Sequence, residues 1–559
     1  MARRSKRNTV VDDTIPLMCI FEGIDKKEYV DYIIKVQRGA NPEDNWQVLH
    51  RYSDFATLQA TLEPSGIELP LPPKKVFGNM DSTFIAERQQ GLQSYIHFIM
   101  AHPLLARHIS VKKFLDPVNY SEDFQEKSMQ HVAMFLRSVP NWEIVEPLPD
   151  IGWRLRKDYF LIKPTDSTKK DVRSILSWTE FGSDFCIEEK DMETLIKVFP
   201  NIQHPYIYPT GFTTSTEHGI ITVRNFLPEG TLRDILCKAK PKVNQLKKYG
   251  TPKTRVQLAV PQIQIYGKQI LEALKFLHDK GFPYGHLHTG NIAIEGNVCK
   301  LLEIENGLLG IPSIHRNRYV PYKKIVDKES EDVYCFAHVL YEMAFSEPLR
   351  TSTLSQLPPT CPSELRPVLE SILNEEVLSK KGLPTVEELL ELPFFKSVNL
   401  PLTEKPVMKI PSKVKESVRM AKEKSEQRLK EDQKFLRQFR RASKAHAHHM
   451  SEEEKKKRKK SAKKSHKSDS SAPAPQTGSA PSSPPPTVRS QPTVAPAAPP
   501  PPQAPRAPPP PAASAQTPAK STSPPSSAGR GALLSSIAGF RKGGLKKAVT
   551  VDKSAPKLT

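Results

Sequence analysis

In "EYVDYIIKVQRG" the apolar positions Tyr32, Ile34 and Val36 alternate with polar ones. That spacing turns one set of side chains to a buried face and predicts a β-strand. The turn-rich "GANPEDN" and then "WQVLHRYS" predict a return into a second strand. Helical spacing takes over in "FATLQATL" and "GLQSYIHFIM", where Leu92, Tyr95, Ile96 and Ile99 recur three or four residues apart. Between these helices "LPLPPKKVF" is stiffened by proline and suits neither element. Residues 14–125 therefore read as a compact α+β unit.

Residues 140–397 read as a larger α+β unit, strand-rich first and helix-rich later. "QILEALKFLHDKG" places Ile270, Leu274 and Leu277 on one helical face, with Gly281 as the stop. "DVYCFAHVLYEMA" predicts another helix. Over 413–468 the chain becomes charged and helix-prone, and 469–529 is a proline-rich linker without periodicity, read as disordered. An apolar island, "GALLSSIAGF", opens the last segment, 530–555. There is no internal repeat.

Composition sharpens this division. The 53 prolines gather near the C-terminus, and 38% hydrophobic residues is too few for all 559 to fold. A formal net charge of +21 points to an anionic partner: a membrane surface, nucleic acid or an acidic protein. No apolar run reaches transmembrane length, and the basic N-terminus lacks the apolar core of a signal peptide. The six cysteines are scattered without metal-type pairing, so a reduced, cytoplasmic chain with no metal site is expected.

The chemistry of the first unit lies in "HRYSDF", "PPKKVFG" and "ERQQGLQSY". A guanidinium fork suits phosphate and a lysine adds a second point charge. In order and spacing these segments resemble the PX domain, a phosphoinositide-binding module. The resemblance implies that Arg51 holds the 3-phosphate of phosphatidylinositol 3-phosphate and Tyr52 packs on the inositol ring. It implies Lys75 at the 1-phosphate and Arg88 at the far hydroxyls. Val76, Phe77 and Met80 are then placed to enter the lipid interface. His50 stands where the family often has another basic residue. The plainer reading is a surface arginine beside an ordinary loop.

In the second unit, "VRNFLPEGTLRDIL", "SEDVYCFAHVLYEMAFSEPL" and "LPTVEELLELPFF" resemble the inter-lobe linker and two helices of the protein-kinase fold, with Asp332 as a buried backbone anchor. The catalytic parts depart from that family. Between 150 and 200 the only glycines are Gly152 and Gly182, so the loop that covers nucleotide phosphates with bare backbone is missing. The strand "DVRSILSW" has no phosphate-pairing lysine; Lys163 and Lys170 are displaced candidates. Glu193 is a candidate helix partner, or merely a solvated glutamate. In "YGHLHTGN", Asn291 is in place, but His286 replaces the catalytic Asp and His288 the lysine after it. The metal-holding motif is reduced to Glu305-Asn306-Gly307, or Glu303 in a shifted register. The resemblance thus implies a pseudokinase with no required cofactor, ATP and magnesium binding being open. The alternative is an atypical serine/threonine kinase using His286 as base.

The segment "ALLSSIAGFRKGGLKKAVT" resembles the WASP-homology 2 motif and its thymosin-β relative. It implies an actin-monomer ligand, with Leu533, Leu534, Ile537 and Phe540 as an apolar stripe and Leu545, Lys546 and Lys547 as its basic extension. The proline runs suit SH3 or profilin-like partners. The basic run Lys455–Lys460 reads as a lipid contact, an import signal or a solvated helix end. Together these features describe a scaffold on endosomal or plasma membrane, working in trafficking and regulation of membrane proteins.

Overall fold

The computed structural model describes residues 10–74, 80–166, 172–401 and 405–465, the stretch from 445 onward by backbone alone. These residues fall within one compact unit. Lys75, Val76, Phe77, Lys170, the proline-rich linker and the whole tail motif lie outside the described residues, as do the side chains of Lys455–Lys460.

The first sheet is antiparallel, with strands β1 (Leu17–Lys26), β2 (Val30–Arg38) and β3 (Asn45–Arg51) in sequence order. Alternation predicts β2 and β3, and Tyr32, Ile34 and Val36 are buried as it requires. Strand β1 is an addition, turning Leu17, Cys19 and Phe21 into the same core. Helix α1 (Tyr52–Leu62) leaves β3 directly, and α2 (Ser82–Ala101) lies across the sheet. Asp81 caps α2 by accepting from the Phe84 amide, and Leu92, Tyr95, Ile96 and Ile99 are completely buried. Helix α3 (Ile109–Leu115) closes the unit, where His50 stacks on Phe114 at 3.7 Å. His50 is thus partly buried at the edge of the core, and burial lowers its pKa. This sheet-and-helix architecture is the PX fold the sequence implies.

Helix α4 (Phe124–Ser138) packs Val132 and Phe135 onto the next sheet, against Phe160, Ile162, Leu176 and Trp178. That sheet is antiparallel in the order β4-β5-β6-β8-β7, from β4 (Trp142–Pro147), β5 (Lys157–Pro164), β6 (Ser174–Glu180), β7 (Phe212–Ser215) and β8 (Gly219–Asn225). Helix α5 (Glu189–Leu195) stands between β6 and β7 in the chain. It buries Met192 and Leu195 and leaves Glu193 exposed. The helical lobe is built on α6 (Val260–Asp279) and α7 (Lys328–Phe345), with the hairpin β9 (Ile292–Glu295) and β10 (Val298–Leu301) at the mouth of the cleft. Ile270, Leu274 and Leu277 share its core with Phe336, Leu340, Leu389 and Phe395. Gly281 takes φ +65°, a left-handed turn that ends α6. The two lobes are the kinase-like fold expected.

Helix α8 (Lys415–Ser465) follows. Its first half does more than the charged pattern predicts: Val418, Ala421 and Leu429 are buried, and Gln433 Nε2 donates to the Tyr322 and Ile325 carbonyls at 3.0 and 2.8 Å. The PX and kinase-like folds also meet directly. Leu246 joins the PX core, Thr251 Oγ1 donates to Ser65 O at 2.9 Å, and Arg107 Nη2 donates to Ile314 O at 2.9 Å.

Candidate functional site

In the PX fold, a close approach of backbone to helix assembles the candidate phosphoinositide site. A Cβ at Gly91 would lie 2.4 Å from Pro72 Cγ, so glycine there lets the proline segment rest on α2. The seated segment presents two carbonyls. Pro72 O accepts from Tyr52 Oη at 2.6 Å, and Pro73 O accepts from Arg88 Nη2 at 3.3 Å. The Arg88 guanidinium lies between the rings of Tyr52 and Phe84, 4.3 and 4.2 Å from their centroids. Arg51, at the junction of β3 and α1, is different. Its side chain is 58% exposed; among the described residues its Nε lies 3.6 Å from Asp54 Oδ1 and its guanidinium 5.8 Å from the Tyr29 ring. A charge held this loosely is available to a ligand. Tyr52 and Arg88 thus gather at the proline segment, while the Arg51 guanidinium stands by Asp54 and Tyr29; Met80 is partly exposed.

In the kinase-like fold the cleft is filled by its own charges. Lys157, the first residue of β5, is completely buried, with Nζ 2.8 Å from Glu303 Oε2 and 3.6 Å from Glu305 Oε1. Arg224, on β8, donates to Glu305 Oε2 at 2.7 Å, and Tyr159 Oη donates to Glu303 Oε1 at 3.1 Å. Two cations face two carboxylates. Burial acts to raise the Glu303 pKa, but Lys157 and then Arg224 hold it below the ordinary carboxylate range. Glu303 follows β10 with φ +58° and contacts Lys157, whereas Glu305 lies one step deeper against Arg224. Lys163 lies elsewhere, paired with Glu143 at the outer side of the sheet.

Sequence reasoning missed Lys157 because it stands on the strand before the one searched. Antiparallel pairing places it opposite Thr179 of β6. The signal available was a lysine ending the basic run "RLRK" just ahead of an apolar strand.

The loop between β4 and β5 closes the cleft from above. Arg154 Nη1 donates to Pro312 O at 3.2 Å and Nη2 to His286 Nδ1 at 3.0 Å. A guanidinium is only a donor, so Nδ1 of His286 must accept and its proton sits on Nε2. His286 is 1% exposed. Burial first, and then the Arg154 charge, hold its pKa well below the ordinary histidine range. Its one lone pair is already engaged. Asn291 Nδ2 donates to His286 O at 3.0 Å and so braces the loop itself. Asp332, fully buried, accepts from the Gly285 amide at 2.9 Å, the backbone anchoring the sequence implies. Trp153 stands edge-on to His288. What remains between the lobes, lined by Trp153, Arg154, Arg224, Arg233 and Glu303, encloses about 110 Å³.

The comparisons with known proteins agree with this division. The PX domain family matches residues 39–118 and the WH2 motif family matches residues 526–555. The chain is 48% identical over 449 residues to the "PX domain-containing protein kinase-like protein" of Rattus norvegicus, covering 80% of this chain and 77% of that one. It is 33% identical over 293 residues to the "Probable inactive serine/threonine-protein kinase slob1" of Dictyostelium discoideum, 47% of this chain and 49% of the relative. The "Slowpoke-binding protein" of Drosophila melanogaster is 33% identical over 280 residues, 46% of this chain and 53% of that protein.

Proposed function

The chain belongs to the family of PX domain-containing protein kinase-like proteins, and from that premise we propose that it works as a membrane-associated scaffold and not as a phosphotransferase. The observation that carries this reading is the buried Lys157–Glu303–Glu305–Arg224 network. Its two lysine- and arginine-borne charges neutralise the carboxylates that would otherwise hold magnesium, and the lysine is consumed in doing so. The space left between the lobes is well below the roughly 300–1,000 Å³ of ordinary ligand pockets. His286, with its lone pair given to Arg154, lacks the free acceptor a general base needs. One relative is named a "probable inactive" kinase and another "Slowpoke-binding", which supports docking as the work of this fold.

The membrane address comes from the PX fold. Arg51 is the exposed fork for a 3-phosphate, while Tyr52 and Arg88 form the wall against which an inositol ring can rest. Lys75 would add the second charge. The WH2 match supports actin-monomer binding through Leu533, Leu534, Ile537 and Phe540, with Leu545, Lys546 and Lys547 continuing over the acidic partner. The role that unites these parts is trafficking, and regulation of membrane proteins, at endosomes. The test is phosphotransfer by the purified full chain with ATP and magnesium. No incorporation above a buffer control is expected; robust transfer that disappears in His286→Ala would reverse the reading.

A further inference from the structure

Helix α8 leaves the kinase-like fold part-way along its length. The face that is buried at Leu429 and Gln433 is only half-buried at Leu436 and Phe439, and is exposed at Ser443, which continues the same three- and four-residue steps. Gln433 is anchored to the lobe through the Tyr322 and Ile325 carbonyls. Arg428 is the last cation of the helix that meets a carboxylate among the described residues, at Asp12 and Asp184. Beyond these anchors the chain reads "FRRASK", in which Arg440, Arg441, Ala442 and Ser443 are all exposed. It is the one place in the sequence where two adjacent arginines stand three and two residues before a serine, and no acid occurs between Asp432 and Glu452.

We propose that Ser443 is a phosphorylation site for an arginine-directed serine/threonine kinase. Two guanidinium forks ahead of a hydroxyl form a pattern that carboxylates in a kinase's peptide groove can read, each fork offering paired donors to one carboxylate. No ion pair among the described residues has to be broken to recruit them. Such a groove takes its substrate extended, so the helix must open around Ser443. No residue of 434–444 is fully buried, and a helix without tertiary packing is marginal in water, so opening is easier here than at Gln433. In the step, Oγ of Ser443 attacks the γ-phosphorus of ATP held by that kinase. The new O–P bond replaces the bond to ADP, and the hydroxyl proton passes to the kinase's catalytic carboxylate. The product carries about −1.5 to −2 charge in a stretch whose charged residues are the cations Lys434, Arg437, Arg440, Arg441 and Lys444. Modification thus acts on the charge of α8 beyond its anchored half.

The experiment is phosphate transfer from ATP and magnesium to the purified full chain by the catalytic subunit of the cyclic-AMP-dependent protein kinase, with the sites mapped by mass spectrometry. Ser443 should be labelled to completion, and not at all when the added kinase is left out. Ser443→Ala should remove that label. Arg440→Gln with Arg441→Gln should slow it about 100-fold, through the loss of two charge-assisted contacts. Lys434→Gln, at an exposed position outside the motif, should leave the rate unchanged, and all three variants should melt as the parent does. A synthetic peptide of residues 434–450 gives the rate of a fully open site, and the native chain should be labelled within about tenfold of it. A native chain slower than that overturns the proposal. So does label confined to other serines and threonines, or an unchanged rate in the double-arginine variant.

Discussion

Lys157→Met tests whether the filled cleft is architecture or a resting catalytic site. In a working kinase, losing the phosphate-pairing lysine removes activity and spares the fold. Here Lys157 is a completely buried cation 2.8 Å from Glu303, and its loss leaves two buried carboxylates facing Arg224 alone. Removing one partner of a buried pair costs about 3–5 kcal/mol. At roughly 2.1 cal/mol/K per residue, a unit of this size converts that cost into a fall of about 3–5 °C in melting temperature. Glu303→Gln in the same chain removes the orphaned charge and should recover a large part of the loss, since the two positions are in contact. The pH dependence has a definite sign. Glu303 has a depressed pKa in the folded parent, so its stabilisation is full above the unfolded value, about 4.3, and is lost as pH falls through the lower folded one. Without Lys157 that carboxyl is protonated more readily, so the gap between parent and variant should narrow as pH falls from 7.5 towards 5. The assay is differential scanning fluorimetry over that range. A variant that melts within 1 °C of the parent at pH 7.5, on the order of a quarter of the expected fall, or a double variant worse than the single, would refute the network as a stabilising element.

Further outcomes follow from the other sites. Arg51→Ala should lose binding to phosphatidylinositol 3-phosphate liposomes by about 2–3 kcal/mol, roughly 30- to 150-fold, with a nearly unchanged melting curve, because its exposed pairing with Asp54 contributes little to stability; sedimentation with liposomes reads it. Arg88→Ala should weaken lipid binding and destabilise the PX fold as well, since its side chain packs between Tyr52 and Phe84; circular dichroism with the same sedimentation separates the two effects. Leu534→Ala with Ile537→Ala should strongly weaken actin-monomer binding, each truncation losing about 2 kcal/mol of apolar contact, whereas Lys546→Ala should cost less, and less still in high salt; monomer binding by fluorescence titration decides it.

Periodicity alone was enough for the PX strands β2 and β3 and for helices α2, α6 and α7, because a two-residue or 3.6-residue apolar repeat is a local property. The losses from the kinase motif were equally legible: a missing glycine loop, or His286 at an aspartate position, is visible without coordinates. Strand β1 escaped because Glu22 and Gly23 blur its alternation, and its place is fixed by pairing with β2. The structure of α8 was predicted as a helix but not as a packed one, since three buried apolar residues on a charged helix make too thin a stripe to read. Lys157 lay outside sequence reach for a different reason. Which strand delivers a charge to the cleft depends on the register of β5 against β6, and register is set by long-range pairing. The same holds where the two folds meet: Arg107 and Ile314 stand 207 positions apart in the chain, and only docking brings the guanidinium to that carbonyl. Residue type is written in the sequence. Whether a charge meets a counter-charge or goes without one is a matter of neighbours, and neighbours are chosen by tertiary packing.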